Sequence, residues 1–343
     1  MKNNFIIGNI PTDIGNIPVV STKLNKSDFW GAVMVRWSIN RDDYKIEPGV
    51  YAVGSPNKTS DVFVSANYKL SFDILRKNLD GINAWILVID TKGINVWCAA
   101  GKGTFGTKEL VFKVNAFEID KLVEHRRIIL PQLGAVGVAA FDVKTFTGFN
   151  VIYGPVRADD IKDFIRANYK ATKEMRKVNF TLKDRLKQIP VDFVFGKYYL
   201  LIAFGLMLII SGLNKNGFSF DMVADKGLKA VLNIFLGYSA GIVFMPILLP
   251  FIPFRSFALK GLVTGLIMAA ILYLTNFLGN SLLEVISWFL IISGISSFIA
   301  MNFTGSSTFT SLSGVKKEMK IAIPIQISVE VIGIAGFITS KFI

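Results

Sequence analysis

Residues Ala84–Gly106 read "AWILVIDTKGINVWCAAGKGTFG", and two textures meet inside them. The first six are unbroken apolar side chains rich in β-branched types, the pattern of a strand covered on both faces. A turn follows, then Cys98, the one cysteine among 343 residues, then glycines at 101, 103 and 106. Runs of the same buried style recur at 61–67 (DVFVSAN), 127–132 (RIILPQ) and 149–155 (FNVIYGP). Helical patterns separate or follow them at 70–79, 107–114, 136–146 and 159–169. This alternation predicts an α/β, Rossmann-like domain built on a parallel sheet with helices on both faces. Two earlier runs, 29–39 (FWGAVMVRWSI) and 49–54 (GVYAVG), read as extra strands of an antiparallel flap. Folds of this kind bind ligands beyond the carboxyl ends of their strands, which is where residues 91–106 fall.

The glycines formally match G-x-G-x-x-G, but a dinucleotide fingerprint follows its strand at once and is answered by an acid after the next strand. Here Gly101 lies well beyond Asp90, and "RIILPQ" ends without an acid. Gly103 after Lys102 also excludes a P-loop, which needs Ser or Thr there. What remains is a loop that lets backbone approach a large flat ligand. Cys98 itself reads as a small buried hydrophobe, a nucleophile or a metal ligand. If 95–101 forms a helical turn, Asn95, Cys98 and Lys102 share a face, and Lys102 with a helix N-terminus would favour negative charge on sulfur. His125 is the one histidine, so no His/Cys metal cluster can be assembled from this chain alone.

Composition divides the chain. It is 52% hydrophobic with a net charge of +13. From Tyr198 onward nine Lys/Arg face five Asp/Glu, leaving most of the excess on the first 197 residues. Neither a zinc finger, an RRM signature nor a basic-aromatic stripe is present, so a membrane surface explains the charge better than nucleic acid. Five apolar stretches follow at 193–213, 228–250, 257–278, 282–303 and 321–339, each near the roughly 20 residues a helix needs to span a bilayer. The predicted organisation is an α/β domain over 1–169, a basic linker or surface helix over 170–192, and an all-α membrane domain over 193–343. Positive charge marks alternate loops: seven Lys/Arg in 170–187, Arg255 and Lys260, then Lys316, Lys317 and Lys320. The positive-inside rule therefore places the α/β domain in the cytoplasm, on an inner membrane, with the C-terminus outside. The three-residue apolar core of the N-terminus is too short for a secretory signal. Gln326 and Glu330 sit one turn apart within the last span, more simply as an interhelical contact than as an ion path.

"NVWCAAGK" at 95–102 resembles the signature of the HgcA family, the corrinoid proteins of microbial mercury methylation. The likeness continues in order through "IPVVSTKL" (17–24), "IEPGVYAVG" (46–54), "VSANYKLSFDILR" (64–76), "RRIILPQLGA" (126–135) and "GFNVIYGPVRADDI" (148–161), and covers 17–187. The resemblance implies a fold related to the corrinoid-binding domain of the corrinoid iron–sulfur protein of acetyl-CoA synthesis. It also implies a cap helix at 95–102 with Cys98 as lower axial ligand to the cobalt of a base-off corrinoid, a cobalamin-type cofactor. Asn95, Val96, Trp97, Ala99, Ala100, Gly101 and Lys102 carry over as its surroundings, with Gly103 and Thr104 in the loop that follows. Asn67 and Gly154 join them from their places at the ends of neighbouring strands. A histidine-ligated site is excluded, because His125 lacks the Asp two residues before it and the Gly three after it.

The resemblance implies transfer of a methyl group to Hg(II), and the chemistry agrees. An axial thiolate pushes electron density toward the opposite ligand, and soft Hg(II) is a fitting acceptor. The same donation makes cobalt harder to reduce, so a low-potential donor is implied, in the family a ferredoxin-like 4Fe–4S protein. A methyl-donor protein or methyltetrahydrofolate-dependent methyltransferase is the other expected partner, with lipid around the spans and no nucleic acid. Two alternatives stay open: a methyl carrier with another natural acceptor, and a non-enzymatic membrane sensor.

Overall fold

The computed structural model describes residues 4–303 and 312–343, so residues 304–311 of the loop after the fourth expected span lie outside it. The chain divides into two compact units, Met1–Val178 and Asn179–Ile343.

The first unit is a seven-stranded sheet. In chain order it runs β1 (Ile6–Thr12), β2 (Gly15–Val20), α1 (Lys26–Arg36), β3 (Gly49–Val53), β4 (Val62–Ala66), α2 (Lys69–Asn78), β5 (Ala84–Ile89), α3 (Val96–Lys102), α4 (Thr107–Ala116), α5 (Ile119–Leu122), β6 (Arg127–Leu130), α6 (Ala140–Thr147), β7 (Asn150–Tyr153) and α7 (Ile161–Arg166). The spatial order is β1-β2-β3-β5-β4-β6-β7. Strands β5, β4, β6 and β7 are parallel, while β3 runs antiparallel to β5. Every residue of β4 and β5 is buried, as their unbroken apolar runs demand. Phe72, Leu75, Leu79, Ile161 and Phe164 from α2 and α7 close one face. Leu110, Val114, Ile119 and Val143 from α4, α5 and α6 close the other. The chain leaves β4 for β5 on one side and returns to β6 on its other side, so strand order reverses around the carboxyl end of β4. Crevices for ligands open at such switch points.

The expected strand at 29–39 is corrected: those residues lie largely in α1. Asn25 accepts the Asp28 N–H at 2.9 Å while Asp28 accepts the Asn25 N–H at 2.9 Å, a reciprocal cap that starts a helix just before the apolar run. The 49–54 run is a strand, as read. It pairs antiparallel with β5, and hairpin β1–β2, turned at Gly15 with φ +112°, extends the sheet beyond it. Helix α6 begins only at Ala140, because residues 132–139 are spent on turns.

Among the described residues the second unit contains five helices long and apolar enough to cross a membrane: Leu182–Ser211, Phe220–Leu248, Phe257–Leu274, Leu282–Asn302 and Ser313–Thr339. The first begins before the expected Phe193, since the basic stretch at 182–187 is already helical. The third and fourth meet backbone to backbone at small residues. A Cβ on Gly261 would lie 2.5 Å from the Ser296 carbonyl, and one on Gly265 would lie 2.7 Å from Ser293 Cα. Gln326 Nε2 donates to Ser297 Oγ at 2.8 Å, so this side chain joins the fifth helix to the fourth.

Candidate functional site

The site is assembled from the turn that leaves β5. Asn67, just past β4 and 2% exposed, reaches across the switch point. Its Oδ1 accepts N–H groups from Thr91 at 3.1 Å and Gly93 at 3.0 Å, and its Nδ2 donates to Asp90 at 3.0 Å. The Thr91 hydroxyl lies within hydrogen-bond reach of Asn67 Oδ1 and of the Ile94 carbonyl. Lys92 and Gly93 both take positive φ, and a Cβ on Gly93 would meet the Asp42 carbonyl at 3.1 Å. That turn delivers the chain to Asn95, which caps α3 by accepting the Cys98 N–H at 2.9 Å.

Helix α3 is two-faced. Val96, Ala99 and Ala100 are buried in the main core, and Trp97, Cys98, Gly101 and Lys102 point outward. Cys98 is a free, exposed thiol. Nothing lies within 4 Å of where a Cβ on Gly101 would stand, so the surface beside the sulfur is open. The helix ends at Gly103 in the left-handed region, φ +82°, and Thr104 N–H returns to the Ala99 carbonyl at 3.0 Å. Its underside is locked. Phe105 is fully buried, and a Cβ on Gly137 would lie 2.2 Å from the Phe105 carbonyl. The exposed face therefore sits on a rigid base.

Beside the start of α3, a cavity of about 310 Å³ opens along the carboxyl ends of β4, β6 and β7. Asn95, Val96, Trp97 and Gly154 line it, together with Pro131 and Pro155. The sequence-derived residues thus fall into three places. Four border the cavity, while Cys98, Gly101, Lys102 and Gly103 occupy the open outer surface with Thr104 half-buried at its edge. Asn67, Ala99 and Ala100 lie beneath, where they fix the turn and the helix spacing.

Sequence reasoning missed the neighbours of Cys98. Burial pushes the Tyr68 hydroxyl up, Arg41 and Arg36 pull against it, and Cys98 adds to the rise, so Tyr68 feels both the arginines and the cysteine. The sign was present in "VRWSINR" at 35–41, but a strand reading scattered those arginines. His125 is elsewhere: its Nε2 contacts the Ser60 carbonyl at 3.0 Å, at the amino ends of β4 and β6, the edge opposite α3. Among the described residues no three His, Cys, Asp or Glu side chains converge as a metal-binding group.

Residues 35–165, which include the turn, the cap helix and the cavity, match the family of CO dehydrogenase/acetyl-CoA synthase delta subunits. The gamma subunit of the acetyl-CoA decarbonylase/synthase complex of Methanopyrus kandleri is 30% identical over 127 residues, 36% of this chain and 27% of that protein. The corresponding subunit of Methanocaldococcus jannaschii is 31% identical over 144 residues, 41% of this chain and 29% of its own. The corrinoid/iron-sulfur protein large subunit of Moorella thermoacetica is 31% identical over 126 residues, 36% of this chain and 28% of its own. The chain spans under a third of each relative's length.

Proposed function

We propose that the protein is a membrane-anchored, corrinoid-dependent methyltransferase that forms methylmercury from Hg(II), with the Cys98 sulfur as lower axial ligand to cobalt. One observation carries the reading: the chain's single thiol is presented, uncovered, on the outer face of a rigid helix at the switch point of the sheet, in a chain partly similar in sequence to a corrinoid/iron-sulfur protein. The residues fit the group. Its ligand must be soft and exposed, Cys98 is both, and His125 is at the wrong edge of the sheet. The open surface at Gly101 leaves room for a flat macrocycle.

The bound corrinoid would supply a cobalt centre able to carry a methyl group and give it up. The chain's part is to fix ligation and access. Cys98 would hold the cofactor through its sulfur, and its electron donation would favour transfer to a soft acceptor. Asn95 fixes the turn of helix that aims the sulfur, and Trp97 offers a half-open aromatic face beside it. Arg36, Arg41 and Lys102 provide positive charge for a ligand that carries a phosphate. Regeneration needs low-potential electrons, for which a ferredoxin-like 4Fe–4S protein is the proposed partner, and methyl groups would come from a donor protein or a methyltetrahydrofolate-dependent methyltransferase. The naming of the Methanopyrus kandleri relative as a subunit of a complex supports a working surface shared with other proteins. Loop charges support placing the α/β unit in the cytoplasm and Ile343 outside an inner membrane.

The test is anaerobic reconstitution of the full chain with a corrinoid, read by its optical spectrum and by methylmercury formed with Hg(II) and a strong reductant. Cys98→Ala should lose both the sulfur-ligated spectrum and the product. Cys98→Thr should keep some corrinoid but lack the sulfur signature. Unchanged spectra and activity in both variants would sink the assignment. The relatives' names favour a second reading, a methyl carrier with another acceptor. Sulfur ligation without any methylmercury would select it, and failure to retain cobalt would return the protein to a sensor role.

A further inference from the structure

A groove of about 880 Å³ lies among the third, fourth and fifth long helices of the second unit. Its walls are apolar. Ile321, Ile325 and Val329 recur every four residues along one face of the fifth helix, opposite Leu259 of the third, with Gly294 of the fourth at the floor. Its mouth is cationic, formed by Arg255 and Lys317. Among the described residues neither has an ion pair, and residues 304–311 contain no acid. Glu318, the acid in the lining, is already used: its Oε1 accepts the Ser256 hydroxyl at 3.0 Å and the Ala258 N–H at 2.6 Å. Lys260 differs from the two mouth residues, because its Nζ is spent on the Leu249 and Ile252 carbonyls.

The dimensions select an occupant. From Lys317 to Val329 the fifth helix rises about 18 Å, slightly more than half of a hydrocarbon core about 30 Å thick. The groove is thus one leaflet deep, charged where headgroups lie and apolar below. We propose that it holds one anionic phospholipid, its phosphate between Arg255 and Lys317 and an acyl chain along Ile321, Ile325 and Val329. Basic pockets between spanning helices suit such headgroups. This inference rests on the reading that the five helices span a membrane.

The test uses the full chain in detergent, exchanged against phosphatidylglycerol, phosphatidylcholine or inorganic phosphate, with retained lipid counted by native mass spectrometry. Phosphatidylglycerol should be retained over phosphatidylcholine, and millimolar phosphate should not displace it. At about 1 kcal/mol per cation near an anionic lipid surface, Arg255→Gln/Lys317→Gln should weaken retention roughly thirtyfold. Lys316→Gln/Lys320→Gln removes equal charge beside the groove and should leave retention within about threefold of the unaltered chain. Ile325→Trp, which fills the channel without altering charge, should also abolish retention. Each variant is compared at a matched melting midpoint. Equal losses in both double variants, no headgroup preference, or displacement by phosphate would overturn the site. Release of the chain from membranes by alkaline carbonate would instead overturn the spanning reading beneath it.

Discussion

Asn95 performs two tasks with one oxygen, ending the backbone need of α3 and fixing the residue that carries the thiol. Asn95→Ala should cost about 1 kcal/mol as a lost cap, a modest fall in melting temperature. Its larger effect should be a disturbed sulfur-ligated spectrum, and Asn95→Asp should restore most of both. Trp97 and Trp85 make a useful contrast. They lie in one quoted stretch and look alike as letters, yet Trp85 is 2% exposed and Trp97 39%. Trp85→Ala should destabilise the unit by about 3–5 kcal/mol, whereas Trp97→Ala should leave the melt near its original midpoint and lower corrinoid retention. If Trp97→Ala melts the unit while the cofactor is held normally, its ring is core rather than site. The cysteine was legible because it is unique and flanked by glycines. The influence of Arg36 and Arg41 on Tyr68 was not, because they arrive from the end of α1 and the loop after it, far away in sequence.

At the scale of elements, α1 and α2 are joined by a buried ionic cluster. Lys69 Nζ sits 2.6 Å from Asp28 and 2.6 Å from Asp73, while Arg76 reaches the same carboxylates at 2.7 and 2.8 Å. All four side chains are buried, so removing one leaves charge without a partner. Arg76→Met should therefore cost about 3–5 kcal/mol in chemical denaturation. Exposed Lys121→Ala, which breaks the pair with Glu118, should leave the denaturation midpoint nearly unchanged. The cluster also explains what the sequence hid. Strands β4 and β5 declare themselves by unbroken apolar runs, because a strand buried on both faces needs nothing else. Helix α1 carries Phe29, Trp30, Met34 and Trp37 on exposed surface, so its apolar residues do not trace a buried stripe. Asp28 binds it to α2 through charge instead, and its start is marked by the Asn25–Asp28 cap rather than by periodicity. The same holds for β1 and β2, where runs of consecutive exposed residues break the period-two pattern of a half-buried strand.

For the whole molecule, the question is whether the second unit is an anchor or a participant in chemistry. Soft Hg(II) moving through the helices would want sulfur relays, and beyond Cys98 only methionines such as Met207, Met245, Met268 and Met301 are available. Met207, Met245 and Met301 are buried in helix packing. Glu330 lies beside Gly294 and shares a cavity lining with Asp192, two carboxylates rather than a charged line through the helices. The proposed role of anchor and docking platform is tested by removing the helices, and the contact boundary between Val178 and Asn179 supplies the place to cut. A fragment ending at Val178 keeps both faces of the sheet covered, since Phe72, Phe164, Leu110 and Val143 all lie before it. It should stay in solution, unfold cooperatively, bind corrinoid through Cys98 and form methylmercury when given Hg(II) and reductant. Its rate should fall within about tenfold of the full chain at equal corrinoid occupancy, because no group that would touch the cofactor has been removed. A fragment that shows the sulfur-ligated spectrum yet transfers no methyl group, beside a full chain that does, would make the helices part of the reaction.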